Sequence, residues 1–299
     1  MSTARSVSAT ILQRFSCRTY ADVPLSEQDR ASLDEQARAL VAGPLGTALR
    51  FRLAAATEES ADALKGLGTY GFVRGARGFL VGAVSAGDHS LEDYGHAMEQ
   101  LVLCATGLGL GTCWLGGSFT RGSFARAVQV TGQERVPAVV AVGRIPDAAP
   151  GGRDARDGFI RRRVGADLRL PWESLFFDGT FAVPLSRREA GAYAEPLEML
   201  RKGPSASNKQ PWRVLRAGGR DGMGAAWHLY LQRTPGYRGG LAGRLLRLED
   251  IQRVDMGIAM CHFELTAREL GLRGKWVDRP PQTACPASCE YVITWEEPG

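Results

Sequence analysis

No apolar run in this 299-residue chain reaches the ~18 residues that a membrane span needs. The opening Met1–Thr10 stretch also lacks the apolar core of a secretory leader. Both absences predict a cytoplasmic protein. In that reducing compartment, Cys17, Cys104, Cys113, Cys261, Cys285 and Cys289 are expected to remain free thiols. Metal ligands are sparse. Only four His are present. The one close Cys pair, Cys285 and Cys289, is spaced more widely than the common zinc knuckle and has no second pair or His cluster beside it, so no metal is expected. The most basic run, Arg161-Arg162-Arg163, has no interleaved aromatics on which bases would stack. A net charge of +5 suits an anionic ligand such as a nucleotide cofactor and is too weak to argue for nucleic acid. No Rossmann glycine fingerprint is present, and no His/Asp pair marks a side-chain nucleophile.

What is present is a repeat. Val23-Pro24-Leu25-Ser26 returns as Val183-Pro184-Leu185-Ser186, about 160 positions later, and Gly43-Pro44 returns as Gly203-Pro204. Asp93-Tyr94-Gly95, an apolar helix and Gly109–Trp114 correspond to Asp255-Met256-Gly257, a second helix and Gly271–Trp276. Four landmarks in order at one offset predict two tandem copies, residues 1–165 and 166–299, joined through a Pro/Gly/Ala/Asp-rich linker at 145–157. In the first copy the apolar spacing of Leu33, Ala37 and Leu40 predicts a helix over 26–41, with Ser26 as its cap and Asp29 in its first turn. Strands are expected at 49–55, 78–84 and 138–142 and a long helix at 94–108. The second copy repeats these at 212–217, 227–232, 291–295 and 254–270. The 107–117 run is read as a helix cap followed by a turn. Helices mixed with strands in each copy predict an α+β or α/β class. Two copies in one chain imitate a two-fold dimer, with a ligand cleft between them.

Three motifs carry a resemblance to the nitroreductase family of flavoproteins. They are Arg14-Phe15-Ser16-Cys17-Arg18, Pro204-Ser205-Ala206-Ser207-Asn208-Lys209-Gln210-Pro211-Trp212, and the Gly107–Gly117 run. The fused arrangement resembles the TM nitroreductase branch, in whose name TM denotes a source organism. The resemblance implies an α+β nitroreductase-like fold in which two tandem copies form a single-chain pseudo-dimer. Family members place FMN between subunits, with the Arg-x-Ser-x-Arg segment and Gly-rich turn from one and the Pro-Ser-x-x-Asn loop from the other. Here the first copy keeps the Arg14, Ser16, Arg18 set but has Gly43-Pro44-Leu45-Gly46-Thr47-Ala48 where the loop belongs. The second copy keeps the loop but begins Leu175–Phe181, with no basic triplet. The intact parts belong to the same site, so one FMN site and one degenerate site are expected.

Within that resemblance, Arg14 offers a planar fork to the FMN phosphate and Ser16 a hydroxyl, with Phe15 between them. Arg161 or Arg163 adds a further phosphate cation. Arg18 reaches the flavin near N1 and O2. Pro204, Ser205, Ala206 and Asn208 lie along the ring and ribityl chain, with Gln210 either there or structural. Leu115, Gly116 and Gly117 form the turn near N5, although relatives often carry an acid where Gly116 stands. Lys65 and Tyr70 are candidates at the flavin edge. No side chain is assigned a catalytic role, because the chemistry belongs to the flavin.

The implied activity is ping-pong electron transfer, from NADH or NADPH to a small-molecule acceptor such as a nitroaromatic or quinone, by a monomeric pseudo-dimer. The rival readings are a non-enzymatic flavin store or electron relay, and a relative of the fold that binds no flavin. His96 and His262 are expected to be satisfied helix residues, Cys17 and Cys113 apolar packing, and Trp114 and Trp276 core.

Overall fold

A computed structural model describes residues 6–57, 64–147, 162, 165–218, 224–236 and 249–298. Helix α1 (Val7–Gln13) is capped by the Ser6 hydroxyl, which accepts the Ala9 N–H. In α2 (Glu27–Ala39), the Ser26 hydroxyl accepts the Asp29 N–H, and Glu27 and Asp29 sit in the first turn, where the helix dipole favours them. The helix ends two residues before 41 because Val41 N–H turns back to Ala39 and Ala42 bridges Ala48.

Then come β1 (Leu49–Ala55), β2 (Gly78–Ser85), α3 (Ser90–Gly107), β3 (Leu110–Leu115), α4 (Arg121–Ala127), β4 (Glu134–Arg135) and β5 (Val139–Arg144). The stretch after α3 is more than a cap and turn. Gly109 takes φ 78, and the β-favouring run Thr112-Cys113-Trp114 then pairs antiparallel with β5 as a mostly buried strand. The first sheet runs β1-β2-β5-β3, with β4 on β2.

The rest of the chain gives β6 (Phe176–Asp178), β7 (Thr180–Pro184), α5 (Arg187–Ala190), α6 (Ala194–Lys202), β8 (Trp212–Gly218), β9 (Ala225–Gln232), α7 (Ile251–Glu269), β10 (Lys275–Val277) and β11 (Cys289–Glu296). The second sheet runs β10-β11-β9-β8-β6-β7, with β6 parallel to β8. Its β8-β9-β11-β10 core has the strand order of β1-β2-β5-β3. The architecture is α+β.

The two long helices, α3 and α7, join the sheets. They cross at Gly95 and Gly257, each facing the other helix's backbone. A Cβ on Gly95 would lie 2.2 Å from the Val254 carbonyl oxygen, and one on Gly257 would lie 2.0 Å from that of Glu92. Beside this crossing two buried pairs bridge the helices, His96 to Glu264 at 2.8 Å and His262 to Glu99 at 2.9 Å. Among the described residues no helix is long and apolar enough to cross a membrane. No three His, Cys, Asp or Glu side chains among them gather as metal ligands would.

The second sheet buries His228, whose Nδ1 meets the Thr294 hydroxyl at 2.7 Å. Burial pushes its imidazole down from 6.5 to about 4. Between those values the unfolded chain binds a proton that the folded chain refuses, so stability falls as pH drops through this window. Urea midpoints at several pH values from 7 to 4 should show a slope that His228→Gln reduces. An unchanged slope would remove His228 as its source.

Candidate functional site

Beside the crossing, a cavity of about 400 Å³ is lined both by residues early in the chain and by the loop and helix around 204–208 and 251–258. Its first wall is the segment after α1. Helix α1 is tied to the second half: the Val7 and Ser8 N–H groups donate to Glu269, and the Ser8 hydroxyl donates to Glu195. The following segment lies along β3, with Ser16 bridging Thr112 and Cys17 N–H on the Thr112 carbonyl at 2.8 Å. This pairing fixes Arg14, Ser16 and Arg18 in sequence along the cavity. Arg18 is not a solvated helix-end charge. It is 7% exposed, donates to the Ser16 carbonyl and places its guanidinium 5.3 Å from the Phe72 ring centre.

The opposite wall is the loop after α6. Ser207, Asn208 and Gln210 all have left-handed backbones, with φ of 50, 54 and 49. Such conformations cost roughly 1–3 kcal/mol each in non-glycine residues and persist only where surroundings impose them. The surroundings here are specific. Asp255, on α7, accepts the Ala206 N–H, and the Ser205 hydroxyl accepts the Gln210 N–H at 2.8 Å. Asn208 donates to the Gly165 carbonyl at 2.6 Å and accepts from Arg169 at 3.3 Å. Gln210 accepts the Leu170 N–H at 2.8 Å. The loop is therefore held in shape by the protein's own hydrogen bonds, which lowers the ordering cost of binding.

Arg14, Phe15, Ser16, Arg18, Gly116, Pro204, Ser205, Ala206 and Asn208 all line this one cavity. Five other candidates do not. Leu115 is buried in β3, packed in the core of the first sheet. Gly117 lies beyond the cavity wall, and Gln210 sits beneath the loop as its support. Lys65 is exposed, as is Tyr70, which takes φ 49. Arg161 and Arg163 lie outside the described residues.

The cavity also holds groups that the sequence reading passed over, chief among them Arg169, Lys202, Phe72 and Asp255. Trp114, expected in the core, forms part of the wall, with its indole N–H on Glu99 at 2.7 Å. Trp276 is in the core of the second sheet. Arg169 enters because residues 165–170 fold back over the loop, with its guanidinium on the Lys202 carbonyl as well as on Asn208. The resemblance points to Arg161 and Arg163, after the last strand of the first copy, and nothing local in sequence marks the later fold-back that brings in Arg169.

Among the described residues, four cations line the cavity, Arg14, Arg18, Arg169 and Lys202, against the carboxyls of Asp167 and Asp255. Burial and the charge of Asp250 push the Asp255 carboxyl well above its ordinary range. The lining therefore favours an anion. Apolar surface from Trp114, Phe72, Ile251, Val254 and Ile258 adds room for a flat ring. This combination fits a flavin nucleotide, with its aromatic ring at one end and a phosphate at the other.

The corresponding place in the other orientation is built differently. Asp93 accepts the Leu45 and Thr47 N–H groups at 2.9 and 2.8 Å. The Leu45 side chain packs against the core of the second sheet, where Phe176 is fully buried.

The family model described as Putative TM nitroreductase matches residues 6–267. A putative nitroreductase from Thermotoga maritima MSB8 is similar in structure at 19% identity, with a TM-score of 0.59 over 99% of this chain and 95% of that one. That likeness is one of fold. A putative nitroreductase from Desulfovibrio desulfuricans, solved with FMN, is 25% identical, with a TM-score of 0.39 over 52% of this chain and 92% of that one. The NADPH:FMN oxidoreductase of Vibrio harveyi, solved with NAD+, is 17% identical, with a TM-score of 0.37 over 49% of this chain and 69% of its own. No curated protein matches the chain.

Proposed function

The chain belongs to the Putative TM nitroreductase family, and we propose that it is an FMN-dependent oxidoreductase with one flavin site, built between two fused halves. The observation that carries this reading is the single cavity joining Arg14, Ser16 and Arg18 from one half to Pro204, Ser205 and Asn208 from the other. The halves, residues 1–165 and 166–299, form an intramolecular pseudo-dimer. The repeated strand order and the matched glycines of the helix crossing support it. The second site is lost because Leu45 occupies the position of Ser205 and turns into the core.

In this site Arg14, Ser16, Arg169 and Lys202 offer charge and hydrogen bonds to the phosphate. Arg18, held by Phe72 and the Ser16 carbonyl, presents a fixed positive charge to the ring, which favours a reduced, negatively charged flavin. Gly116 lines the cavity, where a Cβ would crowd the Ile251 side chain at 3.1 Å, so glycine keeps that wall from closing in. Bound FMN would supply the redox chemistry, that of hydride acceptance from NADH or NADPH and reduction of a nitroaromatic, quinone or similar acceptor.

The purified protein should be yellow and release about one FMN per chain. Arg14→Ala and Asn208→Ala should each weaken FMN binding by about tenfold or more, on the scale of a lost charged or buried hydrogen bond. Thr47→Ala, in the first-half loop, should change it by less than about twofold. Isothermal titration with FMN checks all three, and comparable losses from both loops would sink the one-site reading. Flavin-loaded protein that leaves NADH and NADPH unoxidised would indicate a flavin store or relay instead.

A further inference from the structure

Asp93 and Asp255 occupy matching places in α3 and α7, and each reaches a loop of its own half. Their carboxyls are used differently. Asp93 spends one oxygen on the Leu45 N–H and the other on the Thr47 N–H. Both oxygens of Asp255 share the single Ala206 N–H, at 3.0 and 3.2 Å, the one hydrogen-bond donor it has among the described residues. Asp255 is 2% exposed and lines the cavity, whereas Asp93 is fully buried and does not.

A buried carboxylate with one shared donor is poorly compensated for the water it has lost, so the protonated acid is favoured. The charged surroundings are mixed. Arg14, Arg18, Arg169, Lys202 and Asp167 line the same cavity. Asp250 stands just before its helix, Arg253 lies on it, and Glu92, Asp93 and His96 lie on the facing α3. Burial and Asp250 act together to raise the carboxyl, against the Ala206 hydrogen bond. Once protonated, one oxygen still accepts from Ala206 and the O–H is left to donate. Asp255 lines the cavity, so a ligand bound there can supply that acceptor.

We propose that Asp255 is a ligand-binding residue of the cavity, a carboxylic acid whose O–H donates to an oxygen of the bound flavin. The inference rests on the flavin reading above. It gives the two copies of one aspartate separate tasks: Asp93 anchors its loop with both oxygens, and Asp255 anchors with one and presents the other to the ligand.

Infrared difference spectra between flavin-loaded and flavin-free protein test this directly, with riboflavin and FMN as probes. In the wild type, a protonated-carboxyl C=O band should shift on binding of either flavin, and Asp255→Asn should remove that band. Asp255→Asn keeps an amide oxygen for Ala206 and an N–H for the ligand, so its Kd for both flavins should stay within about threefold of wild type. Asp255→Leu offers neither and should bind both about tenfold more weakly. Wild-type affinity in Asp255→Leu, or a difference spectrum with no band sensitive to Asp255→Asn, overturns the proposal. Should Asp255→Leu fail to fold, the spectra of the wild type and Asp255→Asn decide alone. A wild-type protein that binds neither flavin overturns the flavin reading itself, a result distinct from loss in the variants only.

Discussion

Gly257→Ala should destabilise the protein by about 3 kcal/mol, the upper end of ordinary overpacking, and should abolish flavin binding. The added Cβ would lie 2.0 Å from the Glu92 carbonyl oxygen and 2.7 Å from the His96 nitrogen. Both are backbone atoms inside α3, so no side chain can rotate away to make room. Alanine would improve helix propensity by about 1 kcal/mol, but the steric cost is larger and wins. Relief requires α3 and α7 to separate. Val254, Asp255 and Ile258 of α7 line the cavity, so the separation reaches the site. Gly95→Ala should behave alike, and the double variant should cost less than the sum, since both relieve one crossing. Gly107→Ala is the control. It ends α3 with nothing within 4 Å of its added Cβ, and its stability should change by less than about 0.5 kcal/mol. Urea unfolding, paired with flavin titration, gives both readouts. A Gly257→Ala protein as stable as the Gly107→Ala control would mean that the close crossing is not what holds the halves together.

These glycines also show how far the sequence could be read. Asp-x-Gly in each long helix is visible as a repeat, and the helices themselves are visible as apolar periodicity. Their extents are not. Helix α3 begins at Ser90 rather than 94, because its first turn is buried by tertiary packing against neighbouring elements rather than marked by a local cap. That the glycines face each other is a contact between residues 162 positions apart in the chain, and no local pattern states it. The same limit hid β6 and β7. Phe176–Asp178 is too short to carry a strand period, and it becomes a strand by lying parallel to β8 and antiparallel to β7. At the site, the Arg14–Arg18 and Pro204–Asn208 motifs were legible because each is contiguous. Arg169, Lys202 and Asp255 were not, because each reaches the cavity through a fold-back or a helix position whose direction depends on the crossing. Trp114 belongs to both groups: it packs beside the core, yet one face closes the cavity.

The two buried His–Glu pairs beside that crossing should respond to the same Glu→Gln substitution by different amounts. His262 donates through Nδ1 to the Met199 carbonyl at 2.9 Å, since a carbonyl can only accept. Its Nε2 contact with Glu99 therefore needs one further proton, carried either by an imidazolium or by the acid. Glu99 also accepts the Trp114 indole N–H. Glutamine satisfies all of this: its oxygen accepts from Trp114 and its amide donates to a neutral His262. Glu99→Gln should thus cost less than about 1 kcal/mol. The other pair is wired differently. His96 Nδ1 faces the Gln100 amide nitrogen at 3.2 Å and so accepts, leaving its Nε2–H to donate to Glu264. Glu264 also accepts from Trp276 and Arg268. Burial alone would raise its carboxyl, but the hydrogen bonds from His96 and Trp276 and the charge of Arg268 hold it below the usual carboxylate range. Every neighbour of Glu264 donates, so a glutamine amide there would meet another N–H with nothing to receive it. Glu264→Gln should cost about 2 kcal/mol, the range for a buried donor left unpaired. His262→Ala, which strands Glu99 in a fully buried position, should cost about 3–5 kcal/mol. Urea unfolding of the three variants at neutral pH orders them. Equal losses for Glu99→Gln and Glu264→Gln would mean that the two pairs hold the same number of protons, and that the Nδ1 partners do not set their state.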